Sequence, residues 1–500
     1  METLLPFPAI LAAACLCSAQ VHPPTILERG PHHRRVQTVR EVVQPDGSTL
    51  RRTNAYVELA TGLHYEQDGH WVESVEQIEP FPDGAVARQG PHQAIFAPNL
   101  NSAWPIDVLA PDGNRFRSQV LGLNYFDPAT GSNVLIAEVK DSLGQIQRPN
   151  QVLYADAFTE VRADVRYTYT KAGFEQDVIL RQSLPSPANY GLDPETARLE
   201  IYTEFLDPPV PEQKPRLLSS GVMDAELTFG AARIGRGQAF PLGDPKEAPN
   251  GIPVQKLWRR IEGRNWLIES VSYTEIKAQS GALPKGQAAL RRAGRNRLAS
   301  ADLRQVSSPR ATAKATGPLR MASSAPAAKG VVVDYTILFP ISGWTNKADE
   351  TYYVSTNVVM DYLTVEGGSV TKYAGETSIE VNGFVDCQTG PYRVAIFTGR
   401  DDDSVGSTIA GSTGNPVGVY AEPALRLNEY PYDLHHIRIA YASIALELVN
   451  GMDGSVSLRH AQLVHGGYGL QLYGQWSLQI VVFQDLYSAF WGRARCAANT

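Results

Sequence analysis

Residues 455–475 read SVSLRHAQLVHGGYGLQLYGQ, a stretch that alternates apolar and polar residues, breaks at glycines and then alternates again. Alternation with a period of two is the pattern of a β-strand that buries one of its faces. Nearly the same rhythm occurs just before this stretch, in 436–451, and just after it, in 476–492. The three segments therefore indicate a repeated β unit.

Aligning these segments places apolar residues in common columns, with offsets of 19 and 22 residues in the first strand and 24 and 20 in the second. A unit of about 20 residues cannot bury its apolar face alone, so stacked neighbours must share a core. We predict that residues 330–500 form a parallel β-helix of strand–turn–strand units; a sandwich with chance regularity is the alternative. The columns are Ile437–Val456–Leu478, Ile439–Leu458–Ile480, Ala445–Gly469–Ala489 and Leu446–Leu470–Phe490.

A more specific pattern lies in residues 351–383, TYYVSTNVVMDYLTVEGGSVTKYAGETSIEVNG. A short strand is followed by LTVEGG (363–368), then Val370 and Lys372-Tyr373, then SIEVNG (378–383). This order resembles the opening coils of bacterial right-handed parallel β-helix repeat proteins. The resemblance covers about 330–492 and implies a fold without implying an activity.

Residues 56–278 are predicted to form a β-rich, sandwich-like domain. Short alternating runs are separated by turn signals, and Asp68-Gly69 and Glu262–Asn265 each fit the turn of a hairpin. Residues 56–276 are also similar to a β-rich region that precedes such β-helices in large exported bacterial proteins. That similarity implies secretion and a modular chain.

Two basic segments flank this domain. Residues 279–329 contain ten Lys and Arg against one acid, Asp302, and almost no large apolar residues, so we predict a disordered, flexible basic linker. Binding of an anionic surface by this linker is the alternative. Residues 20–55 are polar without sustained periodicity and are predicted to be an exposed basic arm.

The N-terminus predicts export. An apolar run from Leu4 to Cys17 is followed by Ser18 and Ala19, which fits a signal peptide over residues 1–19. Glu2 and the lack of Lys or Arg before the run depart from that pattern, and a disordered apolar N-terminus or a misassigned start is the alternative. No later run is long enough to cross a bilayer, so no transmembrane segment is predicted.

The two cysteines beyond the predicted signal peptide, Cys387 and Cys496, form neither a disulfide framework nor a metal motif. We interpret each as a small buried hydrophobic residue.

The chain ends with RARCAANT directly after the third segment, without a polar cap. Solenoids protect their terminal edges, so we interpret the β-helix as incomplete at Thr500. Cover of the last coil by the chain's own loops or by a partner is the alternative.

Parallel β-helices include polysaccharide lyases and glycoside hydrolases, and the hydrolase type resembles paired aspartates, then Gly-His-Gly, then Arg-x-Lys. Here Asp401–Asp403 precede the regular coils, and His465-Gly466-Gly467 is followed by only two basic residues, Arg493 and Arg495. Asp485 is the only carboxylate after Asp453. The sequence therefore assigns no catalytic residue and favours a role other than catalysis.

Several polar clusters contain residue types that can bind metal ions or anions. Asp401–Asp403 lack the spacing of a calcium loop, and His32-His33 beside Arg34-Arg35 has no complementary ligands nearby, so a solvated loop and a solvated charge run are the preferred interpretations. His435, His436, His460 and His465 lack Cys, Asp or Glu at ligand spacing. No metal site and no cofactor are predicted.

Aromatic residues gather in the last coils, at Tyr468, Tyr473, Trp476 and Trp491. Aromatic faces stack on sugar rings, which would make a carbohydrate-binding strip, whereas packing of the turns is the structural interpretation.

With a net charge of −7 and no nucleic-acid motif, the sequence predicts a secreted or cell-surface binding or scaffolding protein, adhesin-like, whose partner is a polysaccharide or a cell-surface protein. A carbohydrate-active enzyme with its site on β-helix loops is the second hypothesis, and a toxin-type or repeat-rich surface assembly is the third.

Overall fold

The computed structural model describes residues 19–44, 46–218, 221–243, 251–285, 317–323, 329–428, 431–449, 455–472, 475–492 and 495–498. The predicted signal peptide lies outside these residues except for Ala19, and most of the predicted linker lies outside them as well. The chain is 61% strand and 3% helix, which confirms the all-β prediction. No helix in the described part of the chain has the length and apolar character needed to cross a bilayer.

The strands fall into three groups along the chain. An N-terminal group comprises β1 (Ala19–Val21), β2 (Thr25–Arg29), β3 (His33–Val43) and β4 (Thr49–Leu59). A central group comprises β5 (His64–Gln67), β6 (His70–Glu73), β7 (Glu79–Phe81), β8 (Gly84–Ala87), β9 (Gln93–Phe96), β10 (Ile106–Leu109), β11 (Arg115–Asp127), β12 (Ser132–Glu138), β13 (Gly144–Arg148), β14 (Gln151–Tyr154), β15 (Ala163–Thr170), β16 (Gly173–Leu180), β17 (Arg198–Leu206), β18 (Glu212–Leu217), β19 (Met223–Phe229), β20 (Ala232–Ile234), β21 (Gly237–Pro241), β22 (Ile252–Ile261), β23 (Arg264–Ser272), β24 (Arg320–Met321) and β25 (Val331–Leu338), with a 3₁₀ helix at Pro187–Tyr190 and one α-helix, α1 (Tyr273–Ser280). A C-terminal group comprises β26 (Trp344–Asn346), β27 (Thr351–Val354), β28 (Val358–Met360), β29 (Leu363–Glu366), β30 (Val370–Tyr373), β31 (Thr377–Val381), β32 (Val385–Gln388), β33 (Ala395–Gly399), β34 (Ala421–Asn428), β35 (Tyr432–His435), β36 (Ile437–Ala440), β37 (Ile444–Val449), β38 (Ser455–Leu472), β39 (Gln475–Gly492) and β40 (Arg495–Ala498).

The central strands form two sheets around one hydrophobic core. In the first sheet the order is β7-β8-β9-β10-β11-β17-β23-β22, and in the second it is β24-β13-β14-β15-β16-β25 with β20 and β21 beside β25. Strands β21 and β22 also pair, so the two sheets join along one edge. Alternate residues of each strand supply the shared core, including Phe96, Tyr154, Tyr167 and Phe174. This is the sandwich-like domain that the sequence predicts.

Both predicted hairpins are present in this domain. Strands β5 and β6 flank Asp68 and Gly69, which have φ angles of 52° and 77°, and β22 and β23 flank Glu262 and Gly263, with φ angles of 54° and 82°. Two consecutive residues with positive φ match the twist of the flanking strands.

The predicted domain boundary at 330 differs from the structure. The prediction places strand β25, VVVDYTIL, in the β-helix, but this strand pairs antiparallel with β16 and β21 in the second sheet of the sandwich. Val331 and Val333 enter the main core and Val332 packs in a smaller cluster on the opposite face, so this strand is buried on both faces. A continuous apolar run suits such a central strand.

The C-terminal strands form a parallel β-solenoid of about six turns, in which three ladders run along the axis. The first ladder contains β27, β30, β33 and β36, the second contains β28, β31, β34 and β37, and the third contains β26, β29 and β32, followed by β35. The long strands β38 and β39 bend to contribute to all three ladders. Each turn therefore has three strands, where the sequence alignment proposed two.

The register of the second ladder confirms the predicted column Leu446–Leu470–Phe490, whereas the columns predicted for the first strand are wrong. Val456 pairs with Tyr432 and Trp476, in the third ladder, and Ile437 lies in the first ladder.

The predicted exposed arm at residues 20–55 is instead a cap on the first turn of the solenoid. Strands β3 and β4 pair antiparallel over their whole length, and Val57–Leu59 of β4 pair in parallel with β27. Leu59 is fully buried in the solenoid core. The polar part of β4 before it is held by backbone hydrogen bonds to β3. The strand edge that β27 would otherwise expose is covered by this pairing.

Candidate functional site

The outward faces of the three ladders differ in how much of them is covered. On the second ladder Arg426, Glu447 and Gln471 are buried, and Arg236 of the sandwich domain donates to Asn428 Oδ1 at 3.1 Å beside them. On the early turns of the first ladder Lys372 is fully buried beneath the segment 400–420, with its Nζ 3.8 Å from Asp403 Oδ1.

The third ladder, by contrast, presents a polar face to solvent, which we call the open face. Its inward residues fill the solenoid core, and alternation directs polar side chains outward along every turn. All of these side chains are half-buried or exposed. The open face comprises Thr345, Thr364, Glu366, Asp386, Gln388, Asp433, His435, Ser457, Arg459, Ser477 and Gln479.

A cleft of about 550 Å³ lies at the edge of the open face, where the chain turns from the third ladder to the first. Glu366 and Gln388 line it from the open face, and a turn spanning Thr389–Arg393 forms its other wall. Gly390 and Arg393 exchange two backbone hydrogen bonds of 3.1 and 3.0 Å, which closes that turn. The ring of Tyr392 projects from it and is fully exposed.

Close packing of the backbone shapes the cleft. A Cβ atom at Gly367 would collide with the backbone oxygen of Arg393, so this position requires glycine. Arg393 is held at the rim by Asp349, with Nη2 to Oδ2 at 2.8 Å, and Glu366 Oε2 accepts the backbone N–H of Ala348 at 2.8 Å. These contacts fix the polar groups of the cleft before any ligand arrives.

Histidines continue the same edge beyond the cleft. The hydroxyl of Thr389 donates to the backbone oxygen of His435 at 2.5 Å, and Nδ1 of His435 lies 3.1 Å from Nδ1 of His436. The rings of His436 and His460 stack at 4.8 Å on successive turns. Residues separated by 24 positions are thus neighbours because each occupies the same corner of its turn.

The prediction that Asp401–Asp403 form a solvated loop is wrong. Their carboxylates accept hydrogen bonds that hold the segment 400–420 in place. Asp401 accepts from Thr413 N at 2.8 Å and from Tyr420 Oη at 2.7 Å. Burial works to raise the pKa of Asp401, but these hydrogen bonds outweigh it and the pKa is lowered. The carboxylates hold the segment over the first ladder.

The basic run at His32–Arg35 is also more ordered than a solvated charge run. Arg34 Nε lies 2.6 Å from Glu58 Oε2 within the cap, and Arg35 Nη2 lies 3.0 Å from Glu350 Oε1 of the solenoid. Nδ1 of His32 accepts the Gly62 N–H at 3.0 Å, and burial lowers the pKa of this histidine to about 4. These side chains fasten the cap.

The aromatic residues that the sequence singles out in the last coils do not lie together in the structure. Trp476 is 2% exposed and belongs to the solenoid core, whereas Tyr468 stacks on Trp491 at 5.2 Å on the second ladder. Tyr473 lies outside the described residues. The fully exposed Tyr392 was missed, although its neighbours Gly390 and Pro391 signal a projecting turn.

Other reactive groups do not contribute to the open face: Cys387 lies between Asp386 and Gln388 on the third ladder but packs inward against the solenoid core. Burial raises the pKa of the Cys387 thiol to about 11, which makes it a poor nucleophile, and burial raises the pKa of Glu200, in the sandwich, to about 7. Glycines 466 and 467 sit close against the backbone oxygens of Ala442 and Ser443, so packing explains them. Arg493 and the side chains of Arg495 and Cys496 lie outside the described part of the chain.

Among the described residues, one carboxylate cluster has the spacing of a metal site. Ligand oxygens of Glu175, Asp177 and Asp334 lie within 4.8 Å of one another in the second sheet of the sandwich. Arg166 already neutralises Asp177 at 2.7 Å, and Asp334 Oδ1 accepts the Gln238 N–H at 2.6 Å. An arginine and a backbone N–H therefore already supply partners to two of the three carboxylates in this cluster.

Comparison with known proteins finds no relative: no protein-family model, no curated protein and no solved structure matches the chain. The geometry of the open face and its cleft is therefore the observation that bears on function.

Proposed function

We propose that the protein is an exported, modular binding protein, adhesin-like, that holds a polysaccharide on the open face of its solenoid. The observation that carries this proposal is the exposed Tyr392 beside a cleft lined by Glu366 and Gln388. An aromatic face packs against the apolar face of a sugar ring, while carboxylate and amide groups accept and donate hydrogen bonds to its hydroxyls.

The repeat of the solenoid supports a polymeric ligand. Parallel strands lie about 4.8 Å apart, so outward side chains recur at that interval along the axis. Rows such as Thr364 and Asp386 offer hydrogen-bonding groups turn after turn. A chain of linked sugars lying along the axis would meet these groups repeatedly. Export rests on the apolar segment 1–19.

Binding is favoured over hydrolysis by the state of the carboxylates on the open face. Arg459 donates to Asp433 from Nε at 3.1 Å and from Nη2 at 2.6 Å, and these hydrogen bonds lower the pKa of Asp433. A glycosidase needs one carboxyl group that stays protonated near neutral pH. Burial raises the pKa of Glu200, Glu269 and Asp361, and none of these three carboxyl groups lies on the open face.

The test is titration of the protein lacking residues 1–19 with dextran, xylan, alginate and chondroitin sulfate by isothermal calorimetry. We expect at least one polysaccharide to bind without release of reducing ends. Replacing Tyr392 by Ala should weaken that binding roughly 2- to 12-fold, as loss of about 0.5–1.5 kcal/mol of ring contact implies.

Tyr487→Ala is the matched control, since Tyr487 is 83% exposed but lies at another corner of the solenoid. Absence of binding to all four polysaccharides would overturn the proposal. Equal weakening by the two tyrosine variants would also overturn it, because the cleft would then have no special part in binding.

A further inference from the structure

Two stacks of rings border the outward face of the first ladder in its last described turns. One stack is His436 on His460, at 4.8 Å and 19°, and the other is Tyr441 on His465, at 5.5 Å and 18°. All four residues have φ angles between 50° and 56°, the left-handed conformation in which one residue turns the chain from one ladder to the next. The stacks therefore lie at fixed corners of the solenoid.

Between these stacks lies one strong cation. Arg438 pairs in register with Gln462, which pairs with Val482 on the next turn. The Arg438 side chain is half-buried, and within the described residues no carboxylate lies at ion-pair distance from its guanidinium. Guanidinium groups bind carboxylate, sulfate and phosphate with paired hydrogen bonds.

The carboxylates nearest this face are already engaged. Asp433, on the third ladder, is held by Arg459 at 2.6 Å, and Asp485, on the last turn, lies 3.2 Å from Nδ1 of His465. Asp402, whose charge acts on Tyr441, accepts from the Thr398 hydroxyl at 2.7 Å. The remaining charged neighbours of His436 are His435, His460 and Arg459, which are all basic.

The groups around Arg438 and His436 should bind an anion more tightly as the pH falls. Burial, followed by the positive charges of His460, His435 and Arg459, lowers the pKa of His436. An anion bound beside these groups opposes the electrostatic part of that effect and raises the affinity of His436 for protons. By linkage, a ligand that increases proton binding must itself bind more tightly as the pH falls.

We infer that the polysaccharide ligand is acidic and that its carboxylate or sulfate groups bind Arg438 between the two ring stacks, with affinity that increases as His436 takes up a proton. This inference rests on the proposed function and specifies its substrate class. It also places the charged part of the ligand next to the cleft, since Thr389 of the cleft wall contacts His435 of the same edge.

The experiment compares chondroitin sulfate with neutral dextran and xylan at pH 7.5 and 5.5, at one ionic strength, on the protein lacking residues 1–19. We expect chondroitin sulfate to bind at least 3-fold more tightly at pH 5.5, and the affinity for neutral chains to change little. Arg438→Gln should weaken chondroitin sulfate binding roughly 3- to 10-fold at both pH values. The double variant His436→Gln/His460→Gln should weaken the pH dependence.

Arg260→Gln is the control, because Arg260 is exposed on the sandwich domain, away from the solenoid face. Binding of neutral chains with no effect of Arg438→Gln on chondroitin sulfate would overturn this inference and leave the proposed function standing. Failure of every polysaccharide to bind would overturn both. The inference would also be overturned if chondroitin sulfate did not bind and the protein instead bound double-stranded DNA through Arg438.

Discussion

At the scale of single residues, His92 shows how burial sets the state of a titratable group. Its ring lies between Tyr169 and Phe339, with ring centroids 4.6 and 4.4 Å away, in the core of the sandwich domain. Burial lowers the pKa of His92 to about 3, so the folded protein holds it neutral. The unfolded chain binds this proton near pH 6.5, and stability is therefore lost as the pH falls from about 6.5 toward 3.

His92→Phe removes this titration while keeping a ring in the core. Between pH 7.5 and 5.0 the native protein should lose about 2 kcal/mol more stability than the variant does, because the unfolded state alone takes up the proton. Urea unfolding at the two pH values measures the difference. His70→Phe, at an exposed position, serves as the control and should keep the native pH response. Equal losses in the native protein and in His92→Phe would contradict the burial argument.

The residues of the candidate site were only partly predictable. The sequence singled out His435, His436, His460 and His465, yet it treated them as separate surface residues. Their proximity depends on corners of successive turns coinciding, and no local pattern reveals that. Tyr392 is a different case: Gly390 and Pro391 signal a turn in the sequence, but only the fold shows that this turn projects beyond the solenoid edge and leaves the ring fully exposed.

At the scale of elements, the corners between the ladders of the solenoid account for the strained backbone of Ile480. They also account for the wrong strand register that the sequence alignment predicts. Corner residues in β38 and β39 have positive φ, and Ile480 is among them at 53°. A β-branched side chain is disfavoured in this conformation. Because Ile480 is 66% exposed, burial of its side chain adds little stability to offset that cost.

Ile480→Asn should therefore stabilise the protein by about 1 kcal/mol, since Asn adopts the left-handed conformation more readily. Val482→Asn is the matched control: Val482 is 47% exposed on the same strand and is not at a corner. We expect no gain from that change. Urea unfolding of both variants decides the matter, and a loss for Ile480→Asn as large as that for Val482→Asn would show that the corner is unstrained.

The register error has a simple physical origin. The sequence alignment placed Leu478 opposite Val456, whereas the structure places Trp476 there and Leu478 opposite Leu458. A shift of two residues leaves every side chain on its original face, so the apolar pattern fits both registers equally well. The corners fix the correct register, because His436, His460 and Ile480 must coincide. Apolar periodicity thus predicts the fold class but leaves the register open.

At the scale of the whole molecule, the chain folds back on itself in ways that composition does not reveal. The sandwich domain contacts the second ladder through Arg233 and Asp361, at 2.9 Å, and the N-terminal cap contacts the first ladder through Arg35 and Glu350. The cap was predicted to be an exposed arm because its strands are polar and lack regular alternation. Its stability comes from pairing with strands about 300 residues away, which a local sequence pattern cannot show.

Thr61 tests whether the cap and the solenoid fold as one unit. Its Oγ1 accepts the backbone N–H of Val359 at 2.9 Å, and its side chain is buried, so this bond joins the segment after β4 to β28. Thr61→Val keeps the shape but leaves a buried N–H without its partner, which should cost about 1–3 kcal/mol. We expect faster hydrogen exchange both in β3 and β4 and in β27 and β28. Thr53→Val, at an exposed position of β4, should change neither. Faster exchange confined to β3 and β4 would mean that the cap opens independently, and the solenoid would then need no cover at this edge to stay folded.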